Sequence, residues 1–230
     1  MFKRIATIVL VLSIGACAAP RPRPPAPQLL TAGALRALPA PGEYKIDTGN
    51  SELRILVYRA GPLANLGHNH VMVNRALSGL VRVGSSISAS SFSLKVPVEN
   101  FVVDDVEARR EEGADFPGDI PADAKSGTRR NMLGAAVLNA AEFPLITVSS
   151  VTLTGTPGAL SAELTVSVAG HEAKLSAPCI LQGDAHRMTA AGSMELRQTA
   201  IGLAPYSLLH GALQVEDAMT LKFSIVVPIN

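Results

Sequence analysis

The chain is poor in the residues that most often carry cross-links or chemistry. Only two cysteines, Cys17 and Cys179, occur in 230 residues, so no disulfide framework is expected. Tryptophan is absent and all aromatics together make 4%. Charged residues are few, at 17% with a formal net charge of +1, which gives no field to gather phosphates, and no lysine and arginine cluster is interleaved with aromatics. Nucleic acid is therefore not an expected partner. No apolar run reaches about 20 residues, so nothing in the mature protein is expected to span a bilayer as a helix. The Gly-x-Ser-x-Gly elbow, the Gly-x-Gly-x-x-Gly fingerprint, His-Glu-x-x-His and the P-loop are all missing, and the expectation is a protein that is not an enzyme.

What is present begins at the N-terminus. Lys3 and Arg4 precede the apolar run from Ile5 to Ile14, and Gly15-Ala16-Cys17 follows, which is the layout of a secretory signal over residues 1–16. Ile14-Gly15-Ala16-Cys17 also resembles the lipobox of bacterial lipoproteins, in which the cysteine becomes the lipid-modified first residue. That resemblance implies an exported protein of the periplasm or outer membrane, held by lipid at Cys17. Cys179 is then left without a partner. Residues 17–42 are rich in Pro and Ala, as in Arg21-Pro22-Arg23-Pro24-Pro25, and read as an extended tether of at most roughly 3 Å per residue. One folded domain is expected over 43–230.

Within that domain, seven stretches alternate apolar and polar residues at period two, the pattern of strands with one wet face. His171, Ala173, Leu175, Ala177, Cys179 and Leu181 share one face of one stretch. Met188, Ala190, Gly192, Met194 and Leu196 share a face of the next. Further strands are read at Tyr44–Thr48, Glu52–Arg59 (with Gly49-Asn50 as the turn between these two), His68–Asn74, around Leu77–Val83 and Phe92–Val98, and at 145–154, 160–168 and 219–227. The connections are short, so the sheet is expected to be antiparallel. Between Asp104 and Ala135 the alternation stops, and two helical segments are read at Asp105–Glu112 and Ala122–Leu133. An insertion of this length in a meander usually covers or makes a site.

Several of the dry faces are built from small residues: Gly79, Ala162, Ala173, Ala177, Ala190 and Gly192. In a barrel of about eight strands they leave an interior that is either just filled or holds one small ligand. A dry void of about 300 Å³ would cost around 7 kcal/mol at about 24 cal/mol per Å³, so the space is wet, plugged or occupied.

His68 and His70 are the conspicuous titratable pair. Two imidazoles two residues apart on a strand share a face and can form part of a metal site, with His171, His186, His210 or a carboxylate as further ligand. The opposite face of that strand, Val71 and Val73, is apolar and is expected to point inward, which puts the histidines at the rim or outside. No resident metal is expected. Cys179, on an apolar strand face, reads as a small buried hydrophobe. The run from Asp104 to Glu112 reads as a solvated helix face with pairs such as Asp105 and Arg109. Arg129 and Arg130 before Met132 offer adjacent guanidiniums that can meet an acidic head group.

The chain resembles the YceI family of exported polyisoprenoid-binding proteins. The resemblance rests on Tyr44-Lys45-Ile46-Asp47 with Ser51, on Phe92-Ser93-Leu94-Lys95-Val96-Pro97-Val98, on Arg130-Asn131-Met132-Leu133 with Val137-Leu138-Asn139, on Glu142-Phe143-Pro144-Leu145-Ile146, and on Leu221-Lys222-Phe223-Ser224-Ile225. It covers residues 43–228 in family order. The chain departs from the pattern at Gly67-His68-Asn69-His70, where typical members carry phenylalanines. The resemblance implies an all-β, lipocalin-like antiparallel barrel with a helical insertion and a long isoprenoid in its interior. The residues expected against that lipid are Val71, Val73, Leu94, Val96, Ala173, Leu175, Ala177, Ala190, Met194 and Phe223, with Arg129 and Met132 closing one end. A homodimer is compatible with this. Two other readings stay open: a metal-binding or redox protein using His68 and His70, and a structural envelope lipoprotein that binds a protein on its outer face.

Overall fold

A computed structural model describes residue Gly33 and residues 35–229. The signal segment, Cys17 and most of the Pro-rich tether lie outside the described residues. The first strands in chain order are β1 (Gly42–Lys45), β2 (Glu52–Val57), β3 (Arg59–Ala60), β4 (His70–Asn74), β5 (Ser78–Val83), β6 (Ser91–Pro97) and β7 (Val102–Val103). Helices α1 (Val106–Glu111) and α2 (Ala122–Leu133) follow. The chain returns to strand in β8 (Leu145–Thr156), β9 (Ala159–Val168), β10 (His171–Gly183), β11 (Arg187–Arg197), β12 (Ser207–Leu208), β13 (Leu213–Val215) and β14 (Ala218–Pro228).

Eleven strands form one antiparallel sheet in the order β1-β5-β6-β8-β9-β10-β11-β14-β2-β4-β7, curled into a half-barrel. The antiparallel sheet is the one the alternating stretches and short connections imply, and the lipocalin-like architecture with a helical insertion is the one the family resemblance implies. β9 and β10 are joined by Ala169 and Gly170, both at positive φ (47° and 79°), which is the two-residue hairpin whose twist matches its strands. One local expectation changes. Gly49-Asn50 does not join a hairpin, because β1 pairs with β5 while β2 lies between β14 and β4. The Asp47 carboxylate instead accepts from the Gly49 and Asn50 amides and fixes a 3-10 turn that carries the chain from one place in the sheet to another.

The barrel is filled unevenly. At one end, Leu35 donates its backbone N–H to Leu181 and packs with Leu181, Met188 and Val227. There the space beside Gly192 is taken by the Phe223 ring, since a Cβ on Gly192 would lie 2.4 Å from the Phe223 Cζ. Ala162 and Ala177 are likewise buried in that cluster. At the other end, β2, β9, β11 and β14 finish at Val57, Val168, Arg197 and Ala218. A second sheet of three strands, β12-β13-β3, stands over that opening.

The outer face of β2 and β4 is not left to solvent. Val71 and Val73 are fully buried beneath Ala108 and Phe116 of the insertion, together with Leu56. Arg54 on the same outer face pairs with Glu111 and Glu112, and Lys222 of β14 also reaches Glu112. This corrects the expected orientation of β4. Ile55 is opposite Met72 and Val57 is opposite His70, so the inward face carries Met72 and His70, and the two valines point away from the barrel. The apolar face was buried, as expected of two valines, but by a helix on the outside.

Candidate functional site

A cavity of about 280 Å³ occupies the open end of the barrel. Its walls are mostly aliphatic: Ile55 and Val57 from β2, Met72 from β4, Ile146 from β8, Val168 from β9 and Met219 from β14. The last turn of α2 supplies one side. Thr128, Asn131 and Met132, at helical spacing i, i+3, i+4, share the face turned to the cavity. The segment between β11 and β14 supplies the lip, with Gln198, Ile201, Leu203, Tyr206 and Leu208. Ile55, Val57, Met132 and Ile146 point inward and are half-buried. They pack against the two core clusters on one side and face the cavity on the other.

None of the polar groups of the lining is acidic, and its ionisable nitrogen groups are Arg59, His68 and His70. His70 is held from behind. Its Nδ1 lies 2.6 Å from Asp104 Oδ2, while Asp104 Oδ1 accepts from the Val71 amide at 3.0 Å and from Arg109 Nη1 at 2.6 Å. Asp104 is completely buried and its backbone adopts φ 55°, an unusual conformation for a non-glycine residue that its three bonds stabilise. Burial works against the ionised carboxyl. The bonds from His70, Val71 and Arg109 outweigh it and hold Asp104 below its ordinary range. An ionised Asp104 can only accept, so His70 must donate from Nδ1, and its Nε2 is left with no hydrogen-bond partner among the described residues.

Arg109 completes the brace. It is buried, lies over the Phe116 ring, and donates to the carbonyls of Asn69, Pro117 and Gly118. The solvated-face reading of Asp104 to Glu112 is thereby corrected at its centre. Asp105 caps α1 through the Ala108 amide, and the partner of Arg109 is Asp104. His68 is exposed, just before β4, with its ring 6.1 Å from that of His70. His186 lies at the closed end, where its carbonyl accepts from Ile229. Among the described residues no group of three or more His, Cys, Asp or Glu side chains stands close enough to hold a metal ion.

The residues expected against a lipid separate into three sets. Met132 lines the cavity. Leu94, Val96, Ala177, Ala190, Met194 and Phe223 belong to the main core cluster, with Ala173 and Leu175 in contact with the second cluster nearer the mouth. Val71 and Val73 lie outside the barrel wall, and Arg129 turns from the cavity to Glu99, donating to its carbonyl at 2.7 Å and its carboxylate at 3.2 Å. Sequence periodicity could mark inward faces, but not which end of each face is filled. The lip at 198–215 and the Asp104 brace carry no periodic signal that could mark them.

No protein-family model and no curated protein sequence matches the chain. Solved structures do. Burkholderia cenocepacia BcnA superposes with a TM-score of 0.58 at 14% identity, over 79% of this chain and 98% of that one. A polyisoprenoid binding domain from Saccharophagus degradans, implicated in plant cell wall breakdown, gives 0.55 at 12%, over 81% and 98%. A Campylobacter jejuni YceI protein gives 0.51 at 8%, over 69% and 84%. The fold is therefore the YceI-like fold, at identities too low to carry more than the fold.

Proposed function

We propose that the protein is a YceI-type container that holds part of a long isoprenoid or related lipid in the mouth-side cavity, as an exported lipoprotein anchored through Cys17 and without enzymatic activity of its own. The observation that carries this is the cavity itself, walled by the half-buried aliphatic side chains of Ile55, Val57, Met132 and Ile146. Water in such a space makes few hydrogen bonds, and an apolar chain that displaces it is stabilised by the buried area. A volume of about 280 Å³ is just below the range of ligand pockets, about 300–1,000 Å³, so a long chain enters only in part. Its polar end stays at the mouth, where His70 Nε2, His68 and Arg59 offer the polar contacts. The polyisoprenoid-binding domain among the structural neighbours supports the same class of ligand.

Mass spectrometry of organic extracts from gently purified protein tests the reading. A defined prenyl lipid in the extract, and a rise in Tm when it is returned to delipidated protein, are the expected results. Delipidated protein that neither binds a prenyl lipid nor gains stability from one overturns it. A second reading draws on the Asp104 brace, because a carboxylate behind a histidine is how metal-binding imidazoles are commonly oriented. Metal analysis of untagged protein decides it: stoichiometric metal lost on His70→Ala supports a metal role for His68 and His70, and none removes it.

A further inference from the structure

The loops that frame the cavity mouth carry four exposed leucines. Leu63 and Leu66 lie in the turn after β3, and Leu208 and Leu209 lie at the end of β12. Leu66 and Leu209 are each 67% exposed, more than any other exposed large apolar side chain among the described residues. The two loops form one unit. β13 pairs with both β3 and β12, and the Leu63 amide donates to the Ala212 carbonyl at 2.8 Å. Leu208 also lines the cavity, so the exposed rim and the apolar interior are one continuous surface. At the tip, Leu209 and His210 both adopt positive φ (51° and 55°), so the chain holds two successive non-glycine residues in an unfavourable backbone conformation at the point where Leu209 stands out in water.

Charge indicates what covers this rim. The segments 59–70 and 205–213 contain no Asp or Glu, and they carry Arg59, His68, His70 and His210. We infer that the rim is a docking surface for an anionic lipid bilayer, into whose interface Leu63, Leu66, Leu208 and Leu209 insert while Arg59 and the histidines face the head groups. It rests on the container reading for its purpose, since a mouth seated in the bilayer lets an apolar chain pass without crossing water. The docking itself is measured without any cavity ligand.

The absence of tryptophan makes the test free of background. Leu209→Trp, with Leu66→Trp as a second reporter, is compared with Ala185→Trp in the exposed turn between β10 and β11 at the closed end. Each full-length variant is mixed with vesicles of phosphatidylcholine and phosphatidylglycerol, with and without brominated acyl chains. Blue-shifted emission and bromine quenching at positions 209 and 66, but not at 185, are expected. Leu66→Asp with Leu209→Asp in a Leu208→Trp background should weaken vesicle partitioning by about tenfold or more, since burying one leucine is worth over a decade in affinity.

Water-like emission of all three reporters, or equal responses at both ends as anchor-only attachment would give, overturns the proposal. So does a blue shift of Leu209→Trp that needs no vesicles and tracks dimerisation in sedimentation, which would assign the rim to a second copy of the chain. Failure here leaves prenyl-lipid binding intact. Failure of prenyl-lipid binding with docking preserved would remove the container reading alone.

Discussion

The closed and open ends of this barrel are made from the same strands, yet one is a solid core and the other a cavity. β14 enters at Met219 beside the cavity and leaves at Val227 in the core, and β11 runs the same course in reverse from Met188 to Leu196. Small residues do not make the difference. Gly192, Ala162 and Ala177 sit in the filled half, where Phe223 and its neighbours take up the space they leave. The cavity lies where strands end and the lip and α2 close over them, with Leu138, Ile201 and Leu203 buried beside Val168 and Met219 and a space left between. Space in this fold is made by what covers the strand ends more than by what lines the strands.

The largest expected break of that contrast is at the mouth's polar support. Asp104→Ala leaves the buried Arg109 without its counter-ion and frees His70, and removing one partner of a buried pair costs about 3–5 kcal/mol. Chemical denaturation should show this loss. Asp104→Asn, which keeps the shape, should lose less. The pH dependence follows the same group. A carboxyl with a lowered folded pKa contributes stability that is present above its unfolded value of about 3.9 and disappears as pH falls through the lower folded value. Wild-type protein should therefore lose stability below about pH 4 through Asp104, and Asp104→Asn should flatten that part of the profile.

Next in size is a pair of truncations, one from each end. Leu181→Ala in the filled half should cost about 2–5 kcal/mol, because its neighbours cannot close around the void. Val57→Ala, on a cavity wall that is only half-buried, should cost less than about 1 kcal/mol, since little buried area is lost. Equal losses at the two positions in thermal melts would mean that the cavity wall is as well packed as the core, and the contrast between the ends would fail.

How much of this was legible in the sequence follows from the reach of each signal. Period two located most of the main strands and their wet faces, and Ala122–Leu133 matches α2 in both bounds. The same periodicity cannot tell the inside of a barrel from an outside covered by a helix. Val71 and Val73 are apolar because Ala108 and Phe116 cover them, and His70 faces inward because Asp104, 34 positions later, holds it there. That partnership depends on β7 bringing Asp104 beside Val71, and two residues of strand give no periodic signal. The lip from Gln198 to Leu208 is irregular for most of its length and was equally silent.

A ligand should stabilise the open end alone. A lipid at one hundred times its Kd adds about 2.7 kcal/mol. Val57→Trp, which fills the cavity, should abolish that gain and leave the unliganded Tm nearly unchanged. A gain that survives Val57→Trp would move the ligand away from this cavity.

Chemical reactivity gives a further contrast at Cys179, in the filled half. Burial pushes its thiol up to about 11, so almost none is thiolate at neutral pH. Alkylation by iodoacetamide at pH 7.5 should be slow, and Cys179→Ala should cost about 1 kcal/mol, the centre of the range for point substitutions. A cysteine placed at the mouth by Met132→Cys should be alkylated readily, and a bound lipid should protect it. Peptide mapping by mass spectrometry separates the two sites within one molecule. Rapid labelling of Cys179 would show that the closed end opens on the experimental timescale, and the barrel would then have two entrances.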